Sequence, residues 1–488
     1  MYQRVTKEKL LNYYFDKNSD REIFMRASKK CYIPTNRILL NLIDQYKNEK
    51  KKVKVAFSLS GVFLEQCELF NKDVLESFKQ LAETGCVEFL GQTYYHSLCS
   101  LFPITDEFIG QVKMHRQIIQ DLLGVEPRVF ENTELLYNNT IAKEIEKLDY
   151  DGIYLEGAER ILNGKSPNNV YEAKNCKKLR VLLRNYKLTD DIGFRFSTRD
   201  WKEWPLTADK YSTWLTATPG QCINIFPDYE TFGEHHWPET GIQEFLSKIM
   251  LEILKHESLE LATPSEAIKK HKPIDTIDVP EFNTVSWADL RRDTSGWLGN
   301  TMQWAYYSTV RDMEGLVKES QNLHFINAWR YFQISDHLYY MFTGSGAPSE
   351  VHDYFSPFGT PTDAFITCQS ALMDFEMRLR SFTVKAKDPF RFYKGVGEEM
   401  FTGMTALSLK GFIDIISKVE IKSVEFHKKR GDFVKWAKFS LQNKKLTSHF
   451  RKICKSKLMG EPLKIAVKQA AEKCFEDLRK KTMVLGYY

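Results

Sequence analysis

Between residues 50 and 270 the chain alternates two patterns: short runs of β-branched and aromatic residues, and longer stretches whose apolar positions recur every three to four residues. Runs at 53–61, 86–96, 128–135, 151–157, 179–186, 221–230 and 259–263 read as strands. The intervening stretches at 71–84, 107–123, 140–147 and 241–255 read as amphipathic helices. Such alternation implies βαβ units and a parallel sheet, either doubly wound or closed into a barrel. The polar residues of chemical interest gather at the C-terminal ends of the predicted strands. A parallel barrel carries its active site there, which favours the barrel.

Past Pro273 the strand pattern stops. Residues 294–380 read as helices rich in Trp, Tyr and Phe, broken by a Gly/Pro/Ser loop at 344–361. A linker is expected at 385–389, followed by helices at 407–419, 432–441 and 462–479. The expected organisation is therefore a catalytic barrel over 1–272, a helical domain completing the cleft over 273–383, and a basic helical accessory module over 384–488.

Composition changes this picture in three places. At 488 residues, with 43% hydrophobic and 27% charged residues, the chain has the balance of a globular protein of two or three domains. No apolar run is long enough to cross a bilayer and the first eleven residues lack an apolar signal core, so a cytoplasmic protein with no membrane partner is expected. Nine cysteines without a C-x-x-C pair point to reduced, buried thiols rather than disulfides or structural zinc. The net charge of +5 hides an asymmetry: residues 384–488 hold 24 Lys and Arg against 11 Asp and Glu, leaving the first 383 residues at −8. A balance of +13 can attract nucleic acid or an anionic surface, but spaced lysines on solvated helix faces are the expected reading, with no nucleic-acid partner.

Two segments offer carboxylates at strand ends among aromatic and hydrogen-bonding residues: 128–139, with Glu131 and Glu134, and 225–237, with Asp228, Glu230 and Glu234. Two carboxyl groups flanking one bond are what glycoside hydrolysis needs, one ionised and one protonated. By chemistry alone each segment stays ambiguous, because acidic residues at strand ends are common. The pair His235 and His236 also suggests a metal site, although adjacent histidines on a loop rarely ligate one ion together.

Five separated motifs, in order, resemble the α-amylase branch of glycoside hydrolase family 57 over most of residues 10–380: Gly91-Gln-Thr-Tyr-Tyr-His96, Asn132-Thr-Glu134, the run from Asp228 to Trp237, Ser286-Trp-Ala-Asp289 with Trp297-Leu-Gly-Asn300, and the run from Ser335 to Met341. The resemblance implies an α/β fold, an incomplete (β/α)7 TIM-like barrel followed by helices, and a retaining mechanism on an α-glucan with no cofactor and no metal. It places the nucleophile on Glu134 and the general acid/base on Asp228. His96, Glu230, His235, Trp237, Trp287, Asp336 and His337 become candidate substrate-binding residues. Trp287, Trp297 and Trp304 are candidates for stacking on sugar rings, core packing being the alternative for each.

The chain also departs from that family. It lacks the opening strand with a His-Gln-Pro motif, which predicts unpaired neighbouring strand edges. Asn163-Gly-Lys-Ser-Pro167 stands where Gly-Trp-Arg-Ser-Pro is usual, and Arg291 stands where Glu is expected. The basic tail resembles a small helical module of carbohydrate-active proteins through Ser423–His427, Arg430, Asp432, Phe433 and Trp436. The leading expectation is hydrolysis of internal α-1,4-glucosidic bonds. Its rivals are 4-α-glucanotransfer, a catalytically weakened glucan-binding homologue, and a metal-dependent deacetylase. Oligomeric state is not legible.

Overall fold

A computed structural model describes residues 7–288, 290–320, 322–344, 356–383 and 385–484. The chain divides into two compact units, one of Asn12–Tyr307 with Gln333–Phe365, the other of Met1–Leu11, Ser308–Phe332 and Ile366–Tyr488.

The larger unit carries seven short strands: β1 (Val55–Phe57), β2 (Val87–Phe89), β3 (Val129–Phe130), β4 (Gly152–Glu156), β5 (Tyr171–Ala173), β6 (Arg180–Arg184) and β7 (Thr276–Ile277). β1 pairs with β2 in parallel, and a lone bridge between Gly91 and Phe130 leads on to a five-stranded sheet ordered β3-β4-β6-β5-β7. That sheet is parallel except where β5 meets β6. β4 is buried along its whole length, as a strand covered on both faces should be. The helices between strands are set by their caps. The Ser60 side chain accepts from the Phe63 N–H to start Gly61–Phe70, and Thr263 forms a reciprocal capping box with Glu266 to start Pro264–Lys270. Helix Lys72–Glu83 then buries Val74, Leu75, Phe78, Leu81 and Ala82 on one face.

Two predicted strands are not formed. Residues 259–263 run without a ladder into the Thr263 cap. Residues 221–230 make only one bridge, Asn224 to Arg184, before turning into a 3-10 helix at Tyr229–Phe232. Side chains satisfy the backbone here instead of a ladder: the Phe226 N–H donates to Thr189 Oγ1 and the Phe226 carbonyl accepts from Arg184 Nε. β1 likewise has a strand neighbour on one edge only among the described residues, and no closed barrel is formed there. Ala56 of β1 packs with Cys222 and Phe226 against the buried cluster of Leu90, Val129, Leu135, Tyr154, Val170 and Leu182. The Tyr229–Phe232 turn is held by the helical segment 28–45. Cys31 Sγ donates to the Tyr229 carbonyl, Thr35 donates to the Phe232 carbonyl, and Gly233 (φ +150°) lies where any Cβ would meet the Lys30 carbonyl.

The smaller unit corrects one expectation. The stretch 385–389 is no linker but the start of β8 (Lys385–Tyr393), which forms an antiparallel hairpin with β9 (Phe401–Ser408). The hairpin packs with helices Leu409–Ile416, Ile421–Arg430, Lys444–Lys455 and Gly460–Val484 around a core that includes Val424, Phe433 and Trp436. His427 ties hairpin to helices. Its Nε2 accepts from the Tyr393 N–H at 2.8 Å, which leaves Nδ1–H to donate to Asp432 at 2.9 Å. No helix among the described residues is long and apolar enough to cross a membrane.

The close approach of β4 and β6 gives a prediction. A Cβ on Gly157 would meet the Arg184 carbonyl, whereas one on Gly193 meets nothing. Gly157→Ala should lose about 1–3 kcal/mol in urea unfolding, with Gly193→Ala near neutral.

Candidate active site

Glu134 sits in a 3-10 turn, Thr133–Leu135, that follows β3 directly, and its backbone is left-handed at φ +59°. The turn is locked from below: Ser286 Oγ donates to the Glu134 carbonyl at 2.7 Å, and Trp297 Nε1 donates to Ser286 Oγ at 3.1 Å. The carboxylate itself is buried and held at both oxygens. Trp287 Nε1 donates to Oε2 at 2.8 Å and Ser335 Oγ donates to Oε1 at 2.9 Å. His96, also left-handed (φ +47°), places Nδ1 3.6 Å from Oε1. Burial raises the pKa of Glu134; His96 and the Trp287 hydrogen bond work against that rise. Burial lowers the pKa of His96, but the charges of Glu134, Asp336, Glu131 and Asp228 outweigh it and leave the imidazole above its ordinary value.

Asp228 lies at the head of the Tyr229–Phe232 turn and is exposed, in contrast to Glu134. Its position rests on Arg184 at the end of β6, whose Nε binds the Phe226 carbonyl at 2.8 Å. Arg184 is buried, pairs with Glu156 and Asp190 at 2.8 Å each, and lies 5.4 Å from the Trp287 ring. Burial first, then the charges of Glu134, Asp228 and Asp336, push the Tyr339 pKa upward.

The remaining candidates divide by surroundings. Trp287 and His96 touch the Glu134 carboxylate, and Asp336, exposed at the start of the Asp336–Tyr339 turn, acts on it through its charge. Glu230 accepts from the Tyr32 hydroxyl at 2.6 Å. Trp237 is 49% exposed with Lys30 Nζ 3.8 Å over its ring. The His235 N–H donates to the Glu230 carbonyl, and the His337 ring packs near Phe15 and Tyr306. Trp297 is buried against Tyr339, whereas Trp304 is 48% exposed. Asp289 lies outside the described residues. His236 has both ring nitrogens occupied, Nδ1 by Ser197 Oγ and Nε2 by the carbonyls of Ile192 and Gly193. Burial lowers its pKa, and it is a buried structural histidine. Among the described residues no group of three or more His, Cys, Asp and Glu side chains is placed to hold a metal ion.

Sequence reasoning missed Arg184 and gave no role of their own to Ser335, Ser286 and Glu131, although it singled out the segments that hold them. A signal existed for Arg184: Glu156 and Arg184 end two apolar strands, and the parallel register sets them opposite one another. Glu131 is buried and accepts from Ser58 Oγ at 2.8 Å, and Gln92 Nε2 donates to the same Ser58. Burial raises its pKa to about 7.

Two expectations follow. Arg184→Met leaves Glu156 buried without its cation and should cost roughly 3–5 kcal/mol in urea unfolding; adding Glu156→Gln should recover part of the loss. Glu131 holds its proton in the folded state up to about pH 7 but releases it near pH 4.5 when unfolded. Its favourable contribution is complete below pH 4.5 and lost as pH rises through 7. Glu131→Gln should therefore flatten the fall in stability between those limits, measured as denaturation midpoint against pH.

A family model described as Glycosyl hydrolase family 57 matches residues 1–280. A curated protein of Methanocaldococcus jannaschii named "Putative alpha-amylase" is 47% identical over 382 residues, covering 77% of this chain and 80% of that protein. Alpha-amylase 1 of Dictyoglomus thermophilum is 22% identical over 318 residues, 64% of this chain but only 42% of that protein. The crystal structure of 4-alpha-glucanotransferase from Thermococcus litoralis is similar at a TM-score of 0.58 and 15% identity, over 78% of this chain and 59% of that one. A branching enzyme from Thermococcus kodakaraensis gives 0.55 at 15% identity, over 74% and 86%. At such identities the two solved structures show likeness of fold, α/β with added helices. The family model covers more than half of the sequence and is joined by a relative at 47% identity: the chain belongs to glycosyl hydrolase family 57.

Proposed function

We infer that the chain is a retaining glycosidase of internal α-1,4-glucosidic bonds in starch, glycogen or maltodextrin, built on an incomplete (β/α)7 barrel. The observation that carries this reading is the contrast in burial and support between the carboxylates of Glu134 and Asp228. Glu134 is buried and fixed by donors at both oxygens, whereas Asp228 is exposed at a loop. A nucleophile needs a fixed, ionised carboxylate aimed at one carbon, and an acid/base needs access to a leaving oxygen and to water.

In this mechanism Asp228 donates its proton to the glycosidic oxygen as a Glu134 oxygen bonds to the anomeric carbon and the old C–O bond breaks. Asp228, now ionised, takes a proton from the incoming water, whose oxygen displaces Glu134. Retention requires the two carboxyl groups about 5–5.5 Å apart. Asp336, His96 and Trp287 line the reacting sugar, and Trp237 and Trp304 offer exposed rings to its neighbours. An acceptor sugar hydroxyl in place of water gives 4-α-glucanotransfer from the same intermediate.

Glu134→Gln should lower kcat by several orders of magnitude while glucan binding stays within a few-fold, measured by steady-state kinetics and calorimetry. Wild-type turnover in that variant would remove the assignment. With maltoheptaose as substrate, only shorter products mean hydrolysis, and longer products mean transfer.

A further inference from the structure

We propose that Ser335 is a positioning residue that fixes the plane of the Glu134 carboxylate and selects the tautomer of His96. The proposal rests on Glu134 being the nucleophile. Ser335 is fully buried and makes three contacts with two loops that carry left-handed residues. Its N–H donates to the His96 carbonyl at 2.9 Å, its Oγ donates to Glu134 Oε1 at 2.9 Å, and the same Oγ lies 3.0 Å from His96 Nδ1.

A serine hydroxyl has one hydrogen to give. An ionised Glu134 can only accept, so that hydrogen goes to Oε1. His96 Nδ1 must then carry its own hydrogen and donate to Ser335 Oγ. The neutral imidazole is thereby held as the Nδ1–H form, with no hydrogen on Nε2.

The position of Ser335 is itself fixed by neighbouring polar contacts. Ser97 bridges to Ile334, and Gln333 Oε1 accepts from Gln111 Nε2 at 2.8 Å. On the far side, Gln303 Nε2 donates to the carbonyls of Leu338 and Gly296. The segment that carries Ser335 is thus pinned both before and after it, and its hydroxyl reaches the nucleophile without freedom to swing away.

The test uses a p-nitrophenyl maltooligoside across a range of pH. Ser335→Ala removes a hydrogen bond that favours the ionised carboxylate, so the acid limb of kcat/KM should move to higher pH. At the optimum kcat should fall about 10- to 100-fold while KM changes little. Ser335→Thr, which keeps the hydroxyl, should restore both. In wild-type protein with 15N-labelled histidine, the His96 ring, assigned against His96→Gln, should show the Nδ1–H tautomer above its titration, a readout that needs no folded Ser335 variant. A folded Ser335→Ala with the wild-type acid limb and kcat, or an Nε2–H tautomer for His96, would overturn the proposal. Those results leave the nucleophile assignment standing as long as Glu134→Gln is inactive; an active Glu134→Gln removes the assignment and the proposal together.

Discussion

The larger unit is organised around a buried carboxylate, that of Glu134. Burying such a group uncompensated costs several kcal/mol, enough to unfold a marginally stable domain. Glu134 offsets part of that cost because donors reach it from two places distant in sequence, Trp287 after β7 and Ser335 more than two hundred residues downstream, with His96 after β2 close by. None of these donors serves the carboxylate unless its own loop is in place. Folding of the sheet, of the 284–288 loop and of the 333–341 segment therefore converges on one side chain.

Arg184 does for the second carboxylate what those donors do for the first. It is a buried cation balanced by Glu156 and Asp190, and its Nε donates to the segment that leads to Asp228. Its nearness to Trp287 links that segment to a partner of Glu134. Such an ion cluster adds little to stability relative to apolar packing, and its value lies in fixing direction. The supports of the two carboxylates meet at one place, where Arg184 lies 5.4 Å from the Trp287 ring.

The legible part of this design was local. β4 and β6 announced themselves by continuous apolar runs, and the Glu134 and Asp228 segments by carboxylates following such runs. Glu134 follows β3, whereas Asp228 follows a segment held by Arg184 and Thr189 side chains rather than by a ladder. The hairpin β8–β9 was not legible. Lys385–Pro389 is mostly polar, and its strand character comes from pairing with residues twenty positions on. Residues 221–230 misled in the opposite sense, having strand-like composition but side-chain partners for their backbone. Ser335 was invisible for a different reason. A serine ahead of a short helix reads as a cap, and nothing in its neighbours reveals that its hydroxyl faces a glutamate two hundred residues away.

Glu134 occupies a backbone conformation that costs an ordinary L-residue roughly 1–2 kcal/mol and suits glycine or asparagine far better. The adjacent Leu135 is left-handed as well (φ +51°), so the turn holds two strained residues in succession. At this position random substitution and selection for stability alone would run toward Gly or Asn, away from any carboxylate. A glutamate kept here stands against a conformational slope, and thermal hardiness gained by relaxing the turn would come at the expense of that carboxylate.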